Sequence, residues 1–165
     1  HLHEQALSTF RDMADAHGIV WGLTNLGLLK ILVGDLGTAA RLLREDLRMA
    51  VDLREPASVQ FALLGLATIS SQEGHFTRAA RLWGAAEKVR QAAGMELSPM
   101  ARAQTRYDTW VEHARREAGF DLFTTSWAMG AAMSLEETMA YVLAPVEESA
   151  SATGDVPERV RTGGE

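Results

Sequence analysis

The chain has 165 residues, 47% of them hydrophobic, and no cysteine, so it can bury one continuous core but cannot build a disulfide or thiolate-metal scaffold. A formal net charge of −6 opposes non-specific nucleic-acid binding, which needs a basic surface to displace counterions from phosphates. The longest apolar run, 18–33, contains Asn25 and Lys30 and is too short to span a bilayer, and the first residues lack a signal peptide's basic segment and cleavage site, so a cytoplasmic protein without membrane contact is expected.

Residues 1–13 read as a lone helix. Leu7, Asp12 and Met13 align with Leu47, Asp52 and Leu53 at an offset of 40, but the helix that should pair with this segment is not in the sequence. Leu7, Phe10 and Met13 are therefore expected to be partly uncovered. That implies upstream repeats in a longer natural chain, or self-association through this helix; a start after a removed tag is the plainer alternative.

From 19 to 33, Trp21, Leu23, Leu26, Leu28, Leu29, Ile31 and Leu32 recur at helical spacing, and Gly34 stops the helix because it adopts a left-handed cap at no steric cost. Over 34–53, Leu36, Ala39, Ala40, Leu43, Leu47, Ala50 and Val51 form a second apolar stripe, broken at Arg54, Glu55 and Pro56. The pair reads as an antiparallel hairpin across a short turn. A second hairpin follows, with helices over 57–73 and 76–93, Pro56 in the first turn and Gly94 as the stop.

The two hairpins share sequence. GDLGTAARLL at 34–43 returns 40 residues later as GHFTRAARLW at 74–83, identical at five of ten positions. A fixed period of this size marks stacked helical units, each needing a neighbour to cover its apolar face. Small residues at Gly27, Ala39, Ala67, Ala79 and Ala80 are placed to let paired backbones approach.

At these residues a resemblance becomes specific. Asn25-Leu26-Gly27, then Gly34, Ala39 and Leu43, resembles a tetratricopeptide unit. Two features depart from it: the period is 40 rather than about 34 residues, and the small residue expected late in the second helix is Asp46 in the first unit, though Ala86 fits in the second. Together with the segments around 78–99 and 123–143, the pattern is similar to the helical region near the carboxyl end of large bacterial ATPase-type transcriptional regulators, both LuxR-like and antibiotic-regulator-like. The likeness covers 1–144.

Beyond Gly94 a helical cap is expected over 95–144. Ser98 as N-cap before Pro99 opens a helix to about 118, with Ala103, Tyr107, Trp110, Val111 and Ala114 on its buried side. Gly119 ends it. Phe120, Leu122, Phe123, Trp127 and Met129 pack a short helix, and Ser134 with Glu137 forms a capping box for the last one, through Leu143. Residues 145–165, poor in large apolar side chains, read as a flexible tail. The fold class is thus all-α: tetratricopeptide-like hairpin repeats over 1–94, a helical cap over 95–144, and a tail.

Chemistry-bearing motifs are sparse. His113 and Glu117 lie four apart on a helix and read as a surface pair, not metal ligands. Neither an HExxH motif, a GxSxG elbow nor a phosphate-cradling glycine loop occurs, so no catalytic site, cofactor or metal is expected. Arg41, Arg44 and Arg48 share a helix face with Glu45 and Asp46 among them, a mixed stripe that reads as solvated.

In a tetratricopeptide-like superhelix the first helix of each hairpin lines the concave side. The resemblance then places Trp21, Thr24, Leu28 and Ile31 of one unit, and Phe61, Leu64, Thr68 and Gln72 of the next, on a groove suited to an amphipathic helix or extended peptide. Trp21 and Phe61 are its candidate anchors. In the competing reading these residues pack against terminal helices over 99–143 folded back across the concavity. Trp83, Trp110 and Trp127 are expected in the core. The resemblance implies a non-catalytic interaction and sensing module of a larger bacterial transcriptional or signalling regulator, its partner a protein, a peptide or another domain of the parent chain. The alternative is a sensor whose groove holds a small apolar effector.

Overall fold

A computed structural model describes residues 2–97 and 99–145. Nine helices and no strand occur among them: α1 (Leu2–Asp12), α2 (Ala16–Leu32), α3 (Leu36–Asp52), α4 (Pro56–Gln72), α5 (Phe76–Ala92), α6 (Pro99–Thr105), α7 (Tyr107–Ala118), α8 (Phe120–Ala132) and α9 (Leu135–Leu143). No described helix is long and apolar enough to cross a membrane.

The 40-residue period of the sequence reappears in the element bounds. Helices α2 and α4 start at 16 and 56 and end at 32 and 72; α3 and α5 start at 36 and 76 and end at 52 and 92. All four have 17 residues. The turns repeat at half that period: Ala14, Gly34, Arg54, Gly74 and Gly94 all have positive φ. In each turn that residue's amide donates to the carbonyl three positions back and the next amide to the one five back, as Gly34 to Ile31 and Asp35 to Lys30. This Schellman geometry satisfies carbonyls the helix end would leave orphaned. In the first two turns the following residue's side chain caps the next helix: Asp15 accepts from the Gly18 amide at 3.0 Å and Asp35 from Thr38 at 3.2 Å.

Consecutive helices α1 to α5 each pack on the next, and α2 also touches α4. Ala39, Ala67, Ala79 and Ala80 are fully buried, and at Gly27 a Cβ would lie 2.7 Å from Leu43 Cδ2, so the seams of small residues fall where the sequence puts them. The tightest approach is elsewhere, between α5 and α8. A Cβ on Gly84 would sit 2.1 Å from the Trp127 carbonyl oxygen, and one on Gly130 1.8 Å from that of Arg81.

Several expectations need correction. Helix α2 begins three residues before the expected 19 because Asp15 caps it. Leu7 is only 4% exposed, since Gly22 on α2 admits its side chain to 3.1 Å of a would-be Cβ; Phe10 is half-buried and Met13 exposed. The helix expected over 99–118 is two, broken at Arg106 with φ 49°, and Ala103 is exposed while Ala114 is buried. Of the five α8 residues expected to pack, Phe123 is buried and Trp127 half-buried; Phe120, Leu122 and Met129 face outward. Trp83 is core at 1% exposure, and Trp110 is half-buried. The capping box of α9 is present, Ser134 Oγ accepting from the Glu137 amide at 3.1 Å and Glu137 Oε2 from the Ser134 amide at 2.6 Å. The expected Ser98 cap and the tail over 146–165 lie outside the described residues.

Candidate functional site

Of the eight residues assigned to a concave groove, three keep access to solvent. Trp21 is 55% exposed, and Phe61 and Gln72 are half-buried. Thr24, Leu28, Ile31, Leu64 and Thr68 are buried. The cause is the packing of α2 against α3 and α4: Leu28 and Ile31 close around Gly65 of α4, and Thr24 turns toward α3.

Around Trp21 an apolar surface remains open on α2. Leu32, eleven positions on and therefore on the same helix face, is 57% exposed, and Leu29 at 37% and Val33 at 68% extend the patch. Trp21 is braced rather than buried. Its ring meets Phe10 of α1 edge-on at 6.3 Å, and its carbonyl accepts from Asn25 Nδ2 at 2.7 Å. Leu29 and Leu32 belong in the sequence to one stripe at helical spacing, and that spacing alone does not tell an inner face from an outer one.

The second unit differs. Helices α6 and α7 lie on α4, with Thr68 Oγ1 3.0 Å from the Leu64 carbonyl of its own turn and 3.3 Å from that of Thr105 in α6. Ser71 Oγ reaches the Trp110 carbonyl at 3.5 Å. His113 packs edge-on against Phe76 and Trp110.

Beneath the open face of α2 sits a carboxyl group in the helix seam. Asp46 is fully buried; its Oδ2 accepts from Thr24 Oγ1 at 2.7 Å, while Oδ1 has no hydrogen-bond partner. Burial pushes its pKa up to about 7, the Thr24 hydrogen bond opposing and the nearby Glu55 charge adding to the rise. Asp46 is thus no part of a solvated stripe with Arg41 and Arg44. Glu45 does take that role, pairing with Arg41 at 3.8 Å and Arg11 of α1 at 2.7 Å.

On another side of the stack, α9 packs on α3 and is fastened to α5. Arg78 Nη2 donates to the Tyr141 and Val142 carbonyls at 3.1 and 3.3 Å, and the Arg78 and Arg81 guanidiniums lie 4.7 and 5.0 Å from the Tyr141 ring centre. Cationic donors at the carboxyl end of α9 cap its last carbonyls and complement its dipole. Where this end meets α3, α4 and α5 a recess of about 270 Å³ remains, with Arg44 and Arg78 in its wall. Comparison with protein-family models, curated proteins and solved structures finds no match for the chain.

Proposed function

We propose that this chain is a non-catalytic, tetratricopeptide-like interaction module that takes an apolar segment of a protein partner, most simply one face of an amphipathic helix, against α2. One observation carries the reading: the Trp21 and Leu32 face of α2 is open while the corresponding helix of the next unit is covered by α6 and α7. A large aromatic ring held in place by Phe10 and half in water has the properties of a binding anchor, since little further ordering accompanies its burial. The in-cis cover of α4 offers a pattern for how a helix in trans would lie on α2. The residues at 25–43 and 78–143 that resemble large bacterial ATPase-type regulators support a place inside such a regulator, where the module would hold or release a partner or a neighbouring domain in the cytoplasm.

A photo-crosslinking amino acid at Trp21 tests this in the source cells. The expected result is one or a few discrete protein adducts that disappear when Leu32→Asp is added and do not form from the same group at Glu117, exposed on α7. Adducts as abundant from 117 as from 21, or none at either, would contradict the reading.

A further inference from the structure

The recess at the end of α9 is independent of the α2 surface, and its chemistry is different. Its floor is apolar, made by Leu66, Leu82 and Val142, and two guanidiniums, Arg44 and Arg78, stand in its wall with Glu73 as the counter-charge. Arg78 is held below the ordinary arginine range chiefly by burial, with Tyr141 opposing and the charge of Arg44 adding to the effect. The two cations therefore repel across the recess. Repulsion between partly desolvated like charges is relieved when an anion enters between them. Two positive groups against one carboxylate leave a single net positive charge, which suits a monoanion better than a dianion. Gly37 on α3 also lines the recess, and nothing lies within 4 Å of where its Cβ would be.

We infer that this recess binds a small monocarboxylate with a short apolar chain, the carboxylate between Arg44 and Arg78 and the chain on Leu66, Leu82 and Val142. A volume of about 270 Å³ lies just below the range of pockets for drug-sized ligands, roughly 300–1,000 Å³, and so selects a small molecule. Because Arg78 also holds the last carbonyls of α9, the acid would pin α9 onto α3 and α5 as it binds.

The test is thermal unfolding of the whole chain with propionate, butyrate and hexanoate, each against sodium chloride at equal ionic strength. A saturable rise in Tm of roughly 5–10 °C is expected at one hundred times Kd, since stabilisation grows with ligand over Kd. Gly37→Leu is the decisive variant. It fills the open space and improves helix propensity, so its unliganded Tm should not fall, while the carboxylate-dependent rise should vanish. Arg44→Ala, which leaves the bonds from Arg78 to α9 in place, should weaken binding at least about tenfold. Amide chemical shifts under butyrate should move at Gly37, Ser70 and Val142. The inference is overturned by a rise equal to that in chloride, by no rise at saturating acid, by a rise that survives both variants, or by shifts centred on Trp21.

Discussion

Helices α2 and α4 have the same length and stand at the same place in successive hairpins, yet one leaves a tryptophan and a leucine in water and the other is buried along nearly all of its length. Two additions make the difference. Helices α6 and α7 fold back over α4. A repeat thus fixes the hairpin, not the exposure of its faces.

The two units also differ inside. Asp46 occupies in the first the position that Ala86 fills in the second, both fully or almost fully buried. A small apolar residue meets the requirements of the seam; a carboxyl group with one oxygen unpartnered does not. The raised Asp46 pKa therefore predicts a pH-dependent contribution from the first seam, whereas Ala86 brings no titratable group to the second.

The comparison can be broken or sharpened by mutation. The largest effect belongs to Leu64→Ala on covered α4, expected to cost up to about 5 kcal/mol in chemical unfolding, whereas Leu32→Ala on open α2 should change stability by less than about 0.5 kcal/mol. Similar losses at both sites would erase the distinction. Next comes pH. With its folded pKa raised from 3.8 to about 7, Asp46 favours the folded state most when protonated, so its contribution is complete below pH 4 and is lost as pH rises toward 7. Between pH 5 and 8 the difference is on the order of 3 kcal/mol. Asp46→Ala should remove that part of the pH dependence and raise Tm at pH 8; an unchanged profile would show that the carboxyl is solvated. Ala79→Leu, at a fully buried seam position, should cost about 1–3 kcal/mol by overpacking. Last is Arg54→Gly, which relieves a left-handed residue at φ 56° and should stabilise by about 1 kcal/mol; the same substitution at exposed helical Arg48 should destabilise.

How far the sequence anticipates this architecture depends on which signal each feature leaves. Gly34, Gly74 and Gly94 announce their turns because glycine is the residue for positive φ, while Ala14 and Arg54 adopt the same geometry with no such mark. The repeat is legible in its small seam residues. The break at Arg106 is not, since nothing in its neighbourhood disfavours a continuous helix. Gly84 and Gly130 could have been read as a close contact, but which helix meets which is tertiary information. The same limit applies at the surface: Trp21 and Phe61 are equivalent in sequence, and it is the path of α6 and α7 that covers the second unit. The meeting of Arg44 and Arg78 in the wall of one recess joins residues 34 positions apart on different helices, and local spacing carries no trace of it.

The absence of native cysteine permits a direct measurement of the central claim. Single cysteines at Leu32 and Thr68 place one thiol on the open face of α2 and one beneath α6, and their alkylation rates report the cover over each. The account predicts that Leu32→Cys reacts at close to the free-thiol rate while Thr68→Cys is slowed by about a hundredfold or more in the folded chain, both reacting alike in denaturant. Comparable rates in the folded chain would contradict it.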